Sequence, residues 1–182
     1  MNMIFVTVGT HEQPFDRLIR EIDRLKGTGE IRCDVMIQTG YCSYRPVNCS
    51  FRQWLTPAEM SRYTEEAHIV ITHGGPSSFL AVVSAGKVPI VVPRRKQYGE
   101  HVNDHQFEFA NKVAERYGNI LVAADVKELG RMIADYDKLT ETMNTAAMSN
   151  NRKFVRDFEA LIGDLMNTAS KRRGTKKRGG ER

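Results

Sequence analysis

The chain has 182 residues, of which 41% are hydrophobic and 27% are charged, a composition typical of one soluble α/β domain with its own core. No apolar run approaches the roughly 20 residues of a membrane-spanning helix, and we expect no signal peptide because the first strand follows Met1 almost directly. Cys33, Cys42 and Cys49 lack the spacing of a zinc module, so we expect reduced thiols in a cytoplasmic protein.

The formal net charge of +5 comes from the end of the chain. Residues 171–182, KRRGTKKRGGER, contain seven basic residues and one acid, so the rest of the chain carries a charge of about −1. Because this stretch has no apolar residue, residues 169–182 are predicted to be a disordered basic tail. The tail either contacts anionic lipid head groups or only keeps the chain soluble; a nucleic-acid interface is not indicated, since the body lacks a basic face.

Short apolar runs alternate with helical patterns along most of the chain. The predicted strands span about residues 3–8, 33–38, 51–55, 69–71, 88–92 and 120–122. The predicted helices start after Pro14 and then span about residues 58–66, 79–85, 104–116, 125–136 and 139–168. Thr56 is predicted to cap the second helix, with Pro57 at its first position. This alternation predicts a single Rossmann-like, doubly wound parallel sheet in a domain over residues 1–168.

The turn after the fourth predicted strand has the composition of a phosphate-binding turn. Its two glycines let the backbone approach a ligand closely and adopt positive φ, and its proline suits the first position of the following helix. The serines add hydroxyls at the positive end of the helix dipole, and the histidine adds a donor or a positive charge. A plain helix-capping turn has the same composition. The residues concerned are His73, Gly74, Gly75, Pro76, Ser77 and Ser78.

A second glycine-containing turn, Gly9-Thr10-His11, follows the first predicted strand. In an open α/β sheet, ligands bind at the carboxyl ends of the strands, so both turns are expected at the same edge. His11 is therefore either a residue that reaches a phosphate or a sugar, or an ordinary surface histidine.

Three motifs occur in the order found in one enzyme family: VTVGT at residues 6–10, ITHGGPSS at 71–78 and VPRRKQYGEHVNDHQ at 92–106. Over residues 3–165 the chain resembles the family 28 glycosyltransferase C-terminal domain, the nucleotide-sugar-binding half of a GT-B enzyme. The last motif is similar to that of bacterial exopolysaccharide and capsule transferase subunits. Those subunits resemble the small catalytic subunit of the two-chain GlcNAc transferase of dolichol-linked oligosaccharide synthesis.

The resemblance implies a binding role for each motif. Gly9, Thr10 and the turn at residues 73–78 would bind the diphosphate of a UDP-sugar, while Asp104, His105 and Gln106 would lie near the sugar hydroxyls. Asp104, or its neighbour Asn103, also suits the N-cap of the next helix. Many relatives hold the ribose with an acidic residue eight positions after the motif histidine; here that position is Ala81, so the ribose must be held differently. The UDP-sugar is a substrate, and we expect no cofactor and no metal.

The resemblance also implies a partner, because it covers only the donor half of a GT-B enzyme. We expect a membrane-associated acceptor-binding subunit that presents a lipid-linked saccharide at the inner face of the membrane. The reaction would be an inverting displacement at the anomeric carbon, assisted by a base from the partner. Among the residues of this chain, His11, Glu100 and His101 are the catalytic candidates nearest the reacting centre. The predicted helix at 139–168 either docks the partner or closes its own sheet.

Other functions are compatible with the same fold. A non-catalytic nucleotide-sugar sensor or scaffold would bind the donor without transferring the sugar. A GT-B-type epimerase is disfavoured because those enzymes carry both halves in one chain. A P-loop nucleotidase is disfavoured because the sequence has no GxxxxGK[ST] motif.

Overall fold

The computed structural model of the chain describes residues 3–143. Its centre is a six-stranded sheet in which every pairing is parallel. The strand order is β3-β2-β1-β4-β5-β6. Successive strands are added on one side of β1 up to β3 and on its other side from β4 onward. The predicted doubly wound parallel sheet is therefore confirmed. The strands are β1 (Met3–Thr7), β2 (Asp34–Gln38), β3 (Ser50–Arg52), β4 (Ile69–His73), β5 (Ile90–Val92) and β6 (Leu121–Val122).

Six α-helices connect or follow these strands within the described residues: α1 (Asp16–Gly27), α2 (Pro57–Glu66), α3 (Pro76–Ser84), α4 (His105–Tyr117), α5 (Leu129–Ala134) and α6 (Tyr136–Thr140). Short 3-10 turns occur at Lys96–Tyr98 and Val126–Glu128. The prediction of one continuous helix over residues 125–136 is wrong. Asp125 caps a 3-10 turn instead, and the chain leaves helical geometry again at Asp135, where ψ is 9°.

The predicted helix at 139–168 begins differently from the expectation. Residues 139 and 140 belong to the end of α6, and residues 141–143 form a turn. The remainder of that predicted helix and the basic tail at 169–182 lie outside the described residues. No helix among residues 3–143 combines the length and the hydropathy needed to cross a membrane.

The core lies on both faces of the central strands. On one face the apolar stripe of α1 is fully buried against β1, β2 and β4, because Leu18, Ile19, Ile22 and Leu25 recur at helical spacing. On the other face Phe5 and its neighbours pack against α2 and α3 in a smaller cluster. Alternate residues of β1 therefore serve opposite faces of the sheet, as expected for a buried parallel strand.

The start of α2 follows the predicted capping chemistry. The Thr56 hydroxyl accepts a hydrogen bond from the Glu59 amide, and the Glu59 carboxylate accepts one from the Thr56 amide at 2.8 Å. Pro57 occupies the first helical position, where its missing N–H costs nothing. This capping box fixes the point at which the chain turns from β3 into α2, and it places Trp54 and Met60 at the edge of the sheet.

The loop after β2 is held against α1 by two carboxylates. Asp16 accepts hydrogen bonds from the amides of Ser43 and Tyr44, and the buried Asp23 accepts from the Tyr44 hydroxyl and the Val47 amide. Burial alone would raise the pKa of Asp23, but these hydrogen bonds to its ionised form lower it overall. These hydrogen bonds fix the loop to α1.

Candidate functional site

A cleft of about 590 Å³ lies at the carboxyl ends of β1, β2 and β4. It brings together the two glycine-containing turns that the sequence placed at the same sheet edge. Five further residues also line it and were missed by sequence reasoning. Gln38 and Leu55 end predicted strands and Thr7 lies in the VTVGT motif, signals that could have identified them, whereas nothing in the local pattern identified Trp54 and Met60. The five are Thr7, Gln38, Trp54, Leu55 and Met60.

His73 ends β4 and is 8% exposed. Its Nδ1 accepts a hydrogen bond from the Gly75 amide at 2.8 Å, and its Nε2 lies 3.0 Å from the Ser78 Oγ. Since Nδ1 accepts, the neutral ring carries its proton on Nε2 and donates it to Ser78. The Ser78 hydroxyl hydrogen is then free to point into the cleft.

Of the two roles expected for His73, a hydrogen-bond donor or a positive charge, the structure supports the donor. Burial lowers the pKa of His73 to about 3, and the nearby charges of Arg94, His11 and His101 act in the same direction. The imidazole is therefore neutral at physiological pH. Its role in the turn is to orient Ser78 and the Gly75 amide, rather than to supply charge.

The glycines of this turn are required for space rather than for backbone conformation. Neither Gly74 nor Gly75 has positive φ, which corrects the expectation from sequence. A Cβ on Gly75 would overlap the His73 ring, as would a Cβ on Gly9 from the facing loop. A Cβ on Gly74 would lie 2.9 Å from the Gln106 Cβ. The first two sequence motifs therefore meet at the His73 ring, and the third packs against Gly74 of the same turn.

The N-terminus of α3 faces the cleft as predicted. Gly75 is the N-cap and its peptide leads into Pro76 at the first helical position, followed by Ser77 and Ser78, which line the cleft. No side chain caps this helix end. Pro76 has no N–H, and the Ser78 amide donates to the Gly75 carbonyl at 3.0 Å. The Ser77 amide and the two serine hydroxyls are therefore the donors at the positive end of this helix dipole, a place that suits an anion.

The loop after β1 is shaped by a side chain from β2. Gly9 has a φ of 74°, a conformation that favours glycine, and its amide lies 3.2 Å from the Gln38 Oε1. The Gln38 Nε2 in turn donates to the Gly9 carbonyl at 3.2 Å. These paired hydrogen bonds fix the backbone just before Thr10 and His11, both of which line the cleft.

His11 and His101 come together although they are far apart in sequence. Their ring centroids lie 4.9 Å apart. Partial burial, followed by the charge of Arg94 and by His101, lowers the pKa of His11. Its Nε2 is buried and has no hydrogen-bond partner among the described residues. His11 is therefore a neutral imidazole with an unsatisfied nitrogen at the cleft.

Glu100 does not have the free carboxylate expected of a catalytic candidate. It is 4% exposed, and Arg17 binds both of its oxygens at 2.9 and 3.0 Å. The Arg95 amide donates to the same carboxylate at 3.1 Å. This bidentate pair joins α1 to the loop after β5 across 83 positions of sequence, so the structure gives Glu100 a supporting role.

The three residues expected at the sugar lie at the start of α4 and do not line the cleft itself. Asp104 occupies the N-cap position without capping, because its carboxylate accepts from the Lys96 amide and from the Arg95 Nε at 3.1 Å. The amide hydrogen bond from Lys96 is the main reason that the pKa of Asp104 is lowered. Gln106 accepts from the Arg94 amide, while His105 is exposed.

A second groove, of about 460 Å³, borders the cleft between α2 and α3 and shares Thr7 and Met60 with it. Ala81 lies in this groove, opposite Ser61, Thr64 and Glu65. Polar groups therefore face the position where relatives carry the acidic residue, but they come from the neighbouring helix. Among residues 3–143, no three His, Cys, Asp or Glu side chains cluster as a metal site.

The glycosyltransferase family 28 C-terminal domain model matches residues 3–162. The chain belongs to this family. Solved structures agree in fold: glycosyltransferase SnogD from Streptomyces nogalater is 18% identical, covers 88% of this chain and has a TM-score of 0.54. The calicheamicin glycosyltransferase CalG4 is 14% identical, covers 99% and also has a TM-score of 0.54. The glycosyltransferase of kitacinnamycin is 18% identical over 88% of the chain, with a TM-score of 0.52.

The glycosyltransferase domain described here spans 43% of the length of each of these three solved enzymes. No functionally curated protein matches the sequence. The family assignment therefore rests on the domain model, and the solved structures establish the fold.

Gly9→Ala and Gly29→Ala form a matched pair of variants of this domain. Both glycines have positive φ, 74° and 79°, but only Gly9 has neighbouring atoms, those of His73. We expect Gly29→Ala to lower the free energy of unfolding by about 1 kcal/mol through its backbone conformation alone. Gly9→Ala should lower it by a further ~1–3 kcal/mol, because the ring must move. Urea unfolding measures both values, and equal losses would contradict the packing described.

The stability of the domain should depend on pH through His73. Its pKa is about 3 when folded, against an ordinary value of 6.5. Below pH 6.5 the unfolded chain takes up a proton that the folded chain does not, so the free energy of unfolding falls as pH falls toward 3. Between pH 6.5 and pH 5 this amounts to about 2 kcal/mol.

The control for this pH dependence is His73→Asn, which keeps an acceptor and a donor but does not titrate. Urea unfolding at several pH values should give a flatter slope for the variant than for the wild type. Parallel slopes would show that His73 is not held neutral.

Proposed function

We propose that this chain is the catalytic, donor-binding subunit of a two-component inverting glycosyltransferase. It would move a hexose from a UDP-sugar to a lipid-linked saccharide in exopolysaccharide or capsule synthesis. One observation carries the proposal: the N-terminus of α3, with Ser78 oriented by His73, faces the Gly9–His11 loop across a single cleft. Amide and hydroxyl donors around a helix N-terminus suit the diphosphate of a nucleotide-sugar.

The nucleoside would occupy the other part of the cleft. Trp54 and Leu55 offer an apolar surface at the β3–α2 connection, and Trp54 is 43% exposed. A planar ring of this kind suits stacking by a pyrimidine base. The ribose would then lie toward the groove beside Ala81, where the hydroxyls of Ser61 and Thr64 replace the missing acidic side chain.

The hexose would extend past the diphosphate toward the start of α4. Gln106 uses its Oε1 on the Arg94 amide, which leaves its NH₂ group as a donor for a sugar hydroxyl. Asp104 keeps a second carboxylate oxygen as an acceptor beside Arg95, and the exposed His105 lies next to it. Paired donors and acceptors of this kind are what hydroxyl recognition requires.

In the reaction, the acceptor hydroxyl oxygen would form a bond to the anomeric carbon while the bond from that carbon to the diphosphate oxygen breaks. UDP leaves with the electron pair, and its developing charge is stabilised by the α3 amides and the Ser78 hydroxyl, with no metal. The acceptor proton passes to a base. His11 is the described residue best suited to accept it, because it lines the cleft as a partly exposed imidazole with a lowered pKa, and His101 lies beside it.

The acceptor would come from a second, membrane-associated subunit. The domain covers 43% of the solved glycosyltransferases it resembles, which supports a donor half that needs an acceptor-binding half. The cleft is open at the sheet edge, so an acceptor can approach from the side on which His11 and His101 lie.

Donor binding is tested by calorimetric titration with UDP and with uridine. Ser78→Ala should weaken UDP binding about tenfold and leave uridine within about threefold, because it removes a hydroxyl that meets a charged group. Ser50→Ala is the control and should change neither affinity, since Ser50 is exposed at the start of β3 and lines neither the cleft nor the neighbouring groove. A wild-type chain that binds neither UDP nor any UDP-sugar would refute the proposed donor.

The two-component arrangement is tested by transfer of radiolabelled sugar from a panel of UDP-sugars into the lipid fraction. We expect transfer only when the chain is combined with its acceptor-binding subunit, and His11→Asn should reduce that transfer at least tenfold if His11 is the base. Transfer by this chain alone would contradict the need for a partner. Donor binding without transfer, even with the partner present, would instead favour a non-catalytic nucleotide-sugar sensor or scaffold.

A further inference from the structure

Arg94 is the largest fully buried side chain among residues 3–143, with 1% of its surface exposed. It follows β5 and lies directly beneath the cleft. Fully buried arginines are rare because taking a guanidinium out of water is costly unless an anion compensates it. The proposed function leaves this residue without a role.

The contacts of Arg94 join the two loops that border the cleft. Its Nη2 donates to the Val8 carbonyl at 2.9 Å, and its Nη1 donates to the carbonyls of Gln13 at 2.6 Å and Glu100 at 3.3 Å. The guanidinium also lies over the Phe15 ring, 4.8 Å from its centroid. The loop from β1 to α1 is thus hydrogen-bonded to Arg94 at both of its ends, through the carbonyls of Val8 and Gln13.

The positive charge of Arg94 is not neutralised by a carboxylate within the described chain. All of the hydrogen bonds made by its side chain go to main-chain carbonyls of residues 3–143. The nearby Glu100 carboxylate acts on Arg94 through space only, and its hydrogen bonds go to Arg17 and to the Arg95 amide. The Arg94 Nε has no partner among the described residues. The carbonyl dipoles stabilise the guanidinium, but because they are neutral they do not cancel its positive charge.

We infer that Arg94 is a positioning residue whose buried charge stabilises the diphosphate of a bound donor through the Gly9–His11 loop, without contacting it. This inference rests on the proposed function. The inference explains why no carboxylate of the described residues pairs with Arg94, because a bound diphosphate would supply the negative charge. The same charge lowers the pKa values of His11 and His73, two residues that line the cleft, so its field reaches the place where the diphosphate would lie.

The first test compares UDP with uridine, which lacks the phosphates, in calorimetric titrations of Arg94→Met. A charge effect should weaken UDP binding at least tenfold and change uridine binding less than threefold. The control is the double variant Arg17→Met/Glu100→Met, which removes a pair of zero net charge between α1 and the loop after β5 and should change both affinities by the same factor. Equal weakening of UDP and uridine by Arg94→Met would overturn the inference.

A second pair of variants keeps Arg94 intact, in case Arg94→Met does not fold. Cys42 is a buried thiol whose ionised form interacts electrostatically with Arg94, and its Sγ accepts a hydrogen bond from the Phe15 amide at 3.1 Å. Cys42→Asp places a negative charge beside the guanidinium, and Cys42→Asn has the same shape without the charge. We expect Cys42→Asp to bind UDP at least tenfold more weakly than Cys42→Asn, with similar uridine affinities.

The results separate this inference from the proposed function. If the wild-type chain binds neither UDP nor uridine, the proposed function is wrong and the inference falls with it. If the wild type binds UDP no more tightly than uridine, the diphosphate site of the proposed function is wrong as well. If the wild type prefers UDP but Cys42→Asp and Cys42→Asn bind UDP equally, only the inference is wrong.

Discussion

The buried ring of His73 is the contact on which the candidate site depends. It lies between Gly9 from one loop and Gly75 from another, and neither position has room for a Cβ. Both ring nitrogens are used within the turn, by the Gly75 amide and the Ser78 hydroxyl. The ring therefore sets the distance between the first loop and the N-terminus of α3. In a close-packed interior, a shift of this ring would displace both walls of the cleft.

The electrostatics of the site follow from the same packing. His73 is kept neutral by burial, so it contributes direction to its hydrogen bonds rather than charge. Under the proposed function, attraction for the diphosphate would come instead from the backbone dipoles at the start of α3 and from the buried Arg94. No charged side chain would then touch the diphosphate directly. Donors fixed in this way do not have to reorganise when charge develops on a leaving group.

Much of the fold was predictable because its signals are local. The apolar runs, the Thr56 capping box and Pro76 at the start of α3 are each encoded within a few residues. The supporting contacts are not local. Arg17 and Glu100 are 83 positions apart, and Gln38 reaches the Gly9 carbonyl from another strand. Such pairs depend on the strand order, which brings the ends of β1, β2 and β4 together, and no local pattern encodes them.

The same reasoning explains why the residue types of the site were easier to predict than their roles. A glycine pair before a helix suggests positive φ, yet here Gly74 and Gly75 are needed to admit Gln106 and His73. An acidic residue in a polar loop suggests a base, yet Glu100 is buried and neutralised by Arg17.

His11 and His101 differ from these supporting residues, because both are partly exposed and their ring centroids lie 4.9 Å apart. Under the proposed function, the interior contacts would fix the wall that holds the donor. The pair of histidines would then be the part of the site left for the acceptor.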